Sequence, residues 1–177
     1  MDDLVKQAMA KWPNVPDCYG WLGLDARGDW YMRDDAVQAQ GPFAQAKGSR
    51  LRHDKLIDFI GRNYAADAQG RWFFQNGPQR VFVELEATPW VWRIQANGAL
   101  QSHTGQRVPM HSVEAVWLDE AGHVLVPTPL GLGRIHTQDV VLVPDWLERL
   151  GLTPRDVKAA DLPLLGGFVA SPAQARA

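Results

Sequence analysis

One short pattern recurs four times along the chain. A polar residue, two variable ones and a glycine precede an apolar segment at Asp25-Ala26-Arg27-Gly28, Asp67-Ala68-Gln69-Gly70, Gln95-Ala96-Asn97-Gly98 and Asp119-Glu120-Ala121-Gly122. An Asp at the start of a type I turn caps the turn with its own side chain, and a Gly at the fourth position takes the positive φ that closes a hairpin. The apolar residue two places after each Gly (Trp30, Trp72, Leu100, Val124) then starts a returning strand. Period-two alternation predicts strands around these turns. Val81, Val83 and Leu85 share one face, and Phe82, Glu84 and Glu86 share the other. Trp90 and Trp92 share a face, with Pro89 placing that strand at a bend or an edge.

Helical spacing appears between these strands. Leu4, Val5, Ala8, Met9 and Trp12 predict an amphipathic helix stopped by Pro13. Ser49 reads as the N-cap of a helix running to Asn63, with Leu51, Leu56, Ile57, Phe59 and Ile60 along one side. Residues 34–48 are small and polar and contain Gly41-Pro42, so they read as a loop or insertion. In the second half Thr137 caps a short helix to Leu142, and Pro144 opens another that ends at Gly151. Thr153-Pro154 opens a last one, and Ser171 to Ala177 has nothing to bury. The fold class that follows is α+β: two related halves of antiparallel β-hairpins, each with a packed helix. Residues 1–90 form an N-terminal half with an extra leading helix, and residues 91–177 a hairpin-rich C-terminal half with terminal helices.

Composition narrows the function classes. A formal net charge of −2 argues against a general nucleic-acid binder, which carries a plain excess of base. The single cysteine, Cys18, excludes an internal disulfide and falls far short of a zinc site. Acids at the start of the chain are unlike a secretory leader, and no apolar run approaches the ~18 residues of a membrane span. The expectation is a cytoplasmic protein with no membrane partner.

The run from Gly48 to Trp90 also carries a resemblance. Gly48-Ser49-x-Leu51, Leu56-Ile57-x-Phe59, Gly70-x-Trp72, Gly77-Pro78-x-Arg80-Val81 and Thr88-Pro89-Trp90 are followed by Leu100-x-Ser102-x-Thr104-Gly105-x-x-Val108. Over roughly residues 20 to 147 this resembles an uncharacterised proteobacterial domain-of-unknown-function family with a duplicated α+β core, whose second half is pleckstrin-homology-like. The resemblance implies a ligand site where the two halves join, for a nucleotide-like molecule, and a role in signalling. Residues 34–47 and the leading helix with Trp12 depart from the family pattern.

Candidate chemistry is sparse. His53, His103, His111, His123 and His136 have no zinc-motif spacing, and Cys18 has no neighbouring base, so no metal or cofactor and no catalytic residue is expected. Lys47, Arg50, Arg52, His53 and Lys55 gather at the expected start of the central helix, where a solvated helix end is the plainer reading. The richest set is aromatic and guanidinium: Trp90 with Arg93, Arg80 and Arg134, beside Gln75, His103 and Thr104. A Trp face stacks a planar ring and an Arg fork takes a phosphate or carboxylate. These seven residues are the expected ligand-binding set. The expected function is a non-catalytic sensor or adaptor for a small anionic or nucleotide-like ligand. Two alternatives stand beside it. One is a protein-interaction module, or a homodimer, through exposed edge strands Val81–Leu85 or Trp90–Ile94. The other is a metal-independent hydrolase using Glu84 or Glu86 with His103 or His136.

Overall fold

A computed structural model describes residues 1–176. The chain divides into two compact units. The first comprises residues 1–25, 29–86 and those from Phe168 onward; the second comprises 26–28 and 87–167.

The first unit opens with helix α1 (Asp3–Lys11) and strands β1 (Cys18–Leu24) and β2 (Trp30–Met32). Helix α2 (Asp35–Gln38), strand β3 (Ser49–Arg50) and helix α3 (Asp54–Arg62) follow, then β4 (Tyr64–Ala66), β5 (Trp72–Asn76) and β6 (Gln79–Leu85). These six strands form one sheet in the order β3-β2-β1-β6-β5-β4. The second unit contains β7 (Trp90–Ile94), β8 (Leu100–Ser102), β9 (Arg107–Val108), β10 (Trp117–Leu118), β11 (Val124–Thr128) and β12 (Gly131–Ile135). Helix α4 (Val143–Leu150), strand β13 (Arg155–Asp156) and helix α5 (Leu162–Gly166) complete it. Its seven strands run in the order β13-β10-β11-β12-β7-β8-β9. Helix α6 (Pro172–Ala175) belongs to the first unit again.

The protein is α+β, and its two sheets repeat one plan. Each holds two three-stranded antiparallel meanders: β1-β2-β3 with β4-β5-β6, and β7-β8-β9 with β10-β11-β12. In each, the first strand of the first meander lies parallel to the last strand of the second, β1 on β6 and β7 on β12. The four polar-x-x-Gly turns occupy the equivalent place in all four meanders, the first hairpin. In each the residue that opens the turn donates its N–H to the carbonyl four residues on, at 2.8–3.1 Å. Asp25, Asp67 and Asp119 add the side-chain caps expected of them, to the N–H of Asp29, Arg71 and His123. A fifth turn of this form, Ser102 to Gln106, joins β8 to β9. Trp30, Trp72, Leu100 and Val124 are all buried at the starts of the return strands.

Several expectations are corrected. The hairpins are antiparallel as expected, and each half adds a parallel pair at its centre. Because β6 and β7 belong to those pairs, Val81–Leu85 and Trp90–Ile94 are central strands and no free edge is left on either for a partner strand. Ser49 lies in β3, paired with Met32, and the helix starts at Asp54, capped by the His53 ring accepting from the Leu56 N–H at 3.3 Å. The basic cluster is dispersed accordingly: Lys47 pairs with Glu86 at 2.8 Å and Arg50 with Asp29 at 2.6 Å. The stretch after Thr153-Pro154 is strand β13, parallel to β10.

Residues 34–48 are folded and not a bare insertion. Phe43 is buried over Gly23 of β1, where a Cβ would lie 2.3 Å from its ring. Arg33, itself buried, donates to the carbonyls of Gly41 and Ala46 and to that of Gly20 in β1, and so ties the middle and the far end of the segment to the sheet. The chain end up to residue 176 also has a place. The Leu85 N–H donates to the Ala170 carbonyl at 2.8 Å, and Pro172 and Phe168 are buried. Glu84, expected on a solvated face, is buried beneath this segment and accepts from the Ser171 hydroxyl at 2.5 Å and the Ala173 N–H at 3.1 Å.

Candidate functional site

In the β5–β6 hairpin the two-residue loop Gly77-Pro78 sets Gln75 directly opposite Arg80. Cross-strand partners of an antiparallel pair have neighbouring side chains on one face. The hairpin therefore brings together two residues singled out from the sequence. Helix α1 and the segment after it supply the opposite wall. The helix is tied down at its start, where the Asp2 N–H donates to Asn63 Oδ1 at 2.8 Å and Arg62 meets the Asp2 carboxylate at 3.3 Å. The following segment is held by Gln79, whose Nε2 donates to the Pro16 carbonyl at 3.0 Å. Between these walls lies a cleft of about 220 Å³ lined by Met9, Trp12, Pro13, Val15, Asp17, Gln75, Pro78 and Arg80.

The chemistry of this cleft is uneven. Gln75 is 1% exposed; its N–H donates to the Asn63 carbonyl at 2.8 Å and its Nε2 to the Gly77 carbonyl at 2.9 Å. Its Oε1 is buried with no hydrogen-bond partner among the described residues. A buried acceptor left unpaired costs about 1–3 kcal/mol, so such groups are rare and call for an explanation. Arg80 is exposed, with its guanidinium 5.4 Å from the Phe73 ring centre. Trp12 is 51% exposed, an uncommon position for an indole in a folded chain. Among the lining residues there is no His, Cys, Ser, Thr, Tyr or Lys.

The rest of the expected set lies in the second unit. Trp90 and Trp92 stack 5.7 Å apart and both are buried; Trp90 donates its indole N–H to the Leu130 carbonyl at 2.7 Å. His103 packs its ring 5.7 Å from Trp90 and its Nδ1 accepts from the Val91 N–H at 3.4 Å. Thr104 follows in the β8–β9 turn, its hydroxyl 3.0 Å from that of Ser102. Arg134 sits in β12, in register with Val91. Arg93 is engaged by Asp139 through two hydrogen bonds of 2.8 Å, and Asp139 also accepts from the Ile94 N–H. That bidentate pair raises the pKa of Arg93 and holds its fork within the unit.

Another cleft of the second unit, about 630 Å³, is lined by His111, Ser112, Glu114, Ala115, Pro127, Thr128 and Pro129. Its Thr128 hydroxyl is satisfied, donating to Gly131 and accepting from Leu130. Among the described residues no group of three or more His, Cys, Asp or Glu side chains is placed to hold a metal ion. The acids and imidazoles weighed for hydrolysis have structural partners: Glu84 on the chain end, Glu86 on Lys47, and His136 Nδ1 accepting from the Gln138 N–H.

The sequence matches over residues 1–173 the DUF2944 family model, whose description reads "Protein of unknown function (DUF2946)". The chain belongs to the DUF2944 family. No curated protein matches this DUF2944 chain. Among solved structures it is similar to a DUF1285 family protein from Silicibacter pomeroyi DSS-3, with 13% identity, a TM-score of 0.50 and coverage of 82% of this chain and 84% of that one. A DUF1285 family protein from Shewanella baltica OS155 matches with 14% identity and a TM-score of 0.46, covering 75% of this chain and 97% of that one. The first likeness supports the α+β fold of the DUF2944 chain. Among its described residues no helix is long and apolar enough to cross a membrane.

Three carboxylates of the DUF2944 chain carry a pH signature. Burial raises the pKa of Asp67, Asp119 and Asp139, but hydrogen bonds from Arg71, His123 and Arg93 and from backbone N–H groups outweigh it, and all three lie below the ordinary 3.8. A folded-state pKa below the unfolded one adds stability that is present above the unfolded value and is lost as pH falls through the folded one. Urea midpoints should therefore hold level from about pH 7 to about pH 5 and drop steeply below about pH 4. The Asp139→Asn variant should show a shallower drop; an unchanged slope would remove Asp139 from the account.

Proposed function

We propose that this protein is a non-catalytic binding protein whose first unit takes a small ligand bearing a carboxylate or phosphate, in the cleft between α1 and the β5–β6 hairpin. The observation that carries the reading is Gln75 Oε1, a buried acceptor without a partner on the wall of a cleft rimmed by an exposed guanidinium. A ligand N–H or O–H would complete the acceptor, and Arg80 would hold the anionic group. The cleft offers charges for holding a ligand and no nucleophile–base pair, which favours binding over turnover. Most of the lining is hydrophobic: Met9, Trp12, Pro13, Val15 and Pro78 provide the apolar contact that small-molecule sites use for affinity.

The test is thermal denaturation of the full chain against a panel of small carboxylates, amino acids and nucleotides. A ligand present at a hundred times its Kd should stabilise the protein by about 2.7 kcal/mol. Gln75→Leu removes the unpaired acceptor together with the Nε2 donor to the Gly77 carbonyl, two opposed effects, so the variant should stay within about 1 kcal/mol of the parent and lose the ligand response. A panel without any response, or a response untouched by Gln75→Leu and Arg80→Ala, overturns the reading.

A further inference from the structure

We infer that the ligand of this cleft is a zwitterion, an apolar α-amino acid of about leucine or phenylalanine size, an inference that rests on reading the cleft as a binding site. The rim carries charges of both signs. Arg80 supplies a cation and Asp17 an anion, both exposed, and among the described residues neither side chain forms an ion pair within the cleft or outside it. Arg71 feels the Asp17 charge, but its guanidinium is hydrogen-bonded to Asp67 at 2.7 Å and so is already engaged. A purely anionic ligand would leave Asp17 repelling it; a purely cationic one would meet Arg80 in the same way. A molecule with a carboxylate and an ammonium satisfies both.

A further feature points to the same class; it is not the end of helix α1, whose last turn already holds the Lys11 ammonium, 4.5 Å from the Trp12 ring centre. Gln75 Oε1 can only accept, so it requires a donor, and an ammonium has three N–H bonds to divide between Gln75 and Asp17. The five apolar lining residues then face what remains of the ligand, its side chain, with the Trp12 ring as the largest surface. Size sets the upper limit. About 220 Å³ is smaller than the ~300–1,000 Å³ of sites for drug-sized ligands, which leaves room for one amino acid and not for a whole nucleotide.

Isothermal titration of the full chain with L-leucine and L-phenylalanine tests the inference, beside N-acetyl-L-phenylalanine, L-phenylalanine amide and adenosine monophosphate. At least one free amino acid should bind, with N-acetylation and amidation each weakening binding tenfold or more. Arg80→Ala should abolish the discrimination against the amide, and Asp17→Asn the discrimination against the acetylated form. Because both residues are exposed, these variants should fold. Equal binding of the acetylated and free forms overturns the zwitterion while leaving the cleft a binding site. Binding of adenosine monophosphate alone, lost in Gln75→Leu, does the same. If no probe binds, the inference fails; if the broader panel also gives nothing, the reading of the cleft falls with it.

Discussion

A chain ending at Gly167 should lose at least about 3 kcal/mol of unfolding free energy, the usual cost of deleting one buried Phe side chain. Phe168 is 5% exposed in the first unit, and Pro172 is buried with it. The loss should exceed the Phe contribution because the removed segment also supplies hydrogen bonds. Leu85 N–H would lose the Ala170 carbonyl, and Gly70 would lose the N–H of Val169. Glu84 would lose both of its donors, Ser171 and Ala173. Removing the segment also uncovers Glu84, so its carboxylate returns to water, and what is lost there is its two charge-assisted hydrogen bonds and not a stranded buried charge. Urea unfolding followed by tryptophan fluorescence gives the number, and a double-mutant cycle assigns it. Glu84→Gln should destabilise the full chain but cost much less, or stabilise, in the truncated one. Equal effects in both backgrounds would show that Glu84 and the chain end are not coupled.

That coupling explains why the sequence misleads at Glu84. The alternation Val81, Phe82, Val83, Glu84, Leu85, Glu86 reads as one wet face and one dry face, the usual pattern of a half-exposed antiparallel strand. What buries Glu84 is a segment 87 residues further on, and no local pattern reports a cover that distant. The same reason hides the central pairs. Turn chemistry reveals hairpins because strand, turn and strand are contiguous, so Asp25, Asp67, Gln95 and Asp119 announce four of them. A parallel pairing such as Cys18 with Val81 joins strands with no turn between them, and nothing near either residue encodes it. The duplication was therefore legible in the turns, while the parallel seam that makes β6 and β7 central was not.

The cleft was legible in part. Gln75 ends the aromatic run Trp72-Phe73-Phe74, and of the two amides that close the strand, Gln75 and Asn76, the one at a buried position signals that it meets something polar. Arg80 follows from the same hairpin through the register fixed by Gly77-Pro78. Helical spacing predicts Met9 and Trp12 on the apolar side of an amphipathic helix. They instead flank an opening, because α1 buries Val5 fully and leaves Leu4 79% and Trp12 51% exposed. A stripe that stays this exposed is the sign that separates a wall from a core, and periodicity alone does not show it.

The second large effect is expected from a single methyl group. Gly133→Ala in β12 places a Cβ 2.0 Å from Trp92 Nε1, 2.6 Å from Trp92 Cδ1 and 2.7 Å from Trp90 Cβ. Real contacts never approach so closely, so something must move. Neither indole has room: Trp92 is 0% and Trp90 5% exposed, the two rings stack at 17°, and Trp90 is fixed by its hydrogen bond to Leu130. Nor can β12 retreat, because it is held on both sides, antiparallel to β11 and parallel to β7. Overpacking of a filled core costs about 1–3 kcal/mol, and a site closed on every side should reach or pass the top of that range. Gly122→Ala is the control. A Cβ there meets nothing within 4 Å, but the residue sits at φ +81° in the β10–β11 turn. Only the left-handed backbone is then strained, at about 1–2 kcal/mol. Chemical denaturation of both variants should rank Gly133→Ala as the more damaging, with a changed near-ultraviolet tryptophan signal that Gly122→Ala lacks. The reverse order would mean that the Trp90–Trp92 stack is loose enough to yield, and that glycine stands at position 133 for a reason other than the indole lying against it.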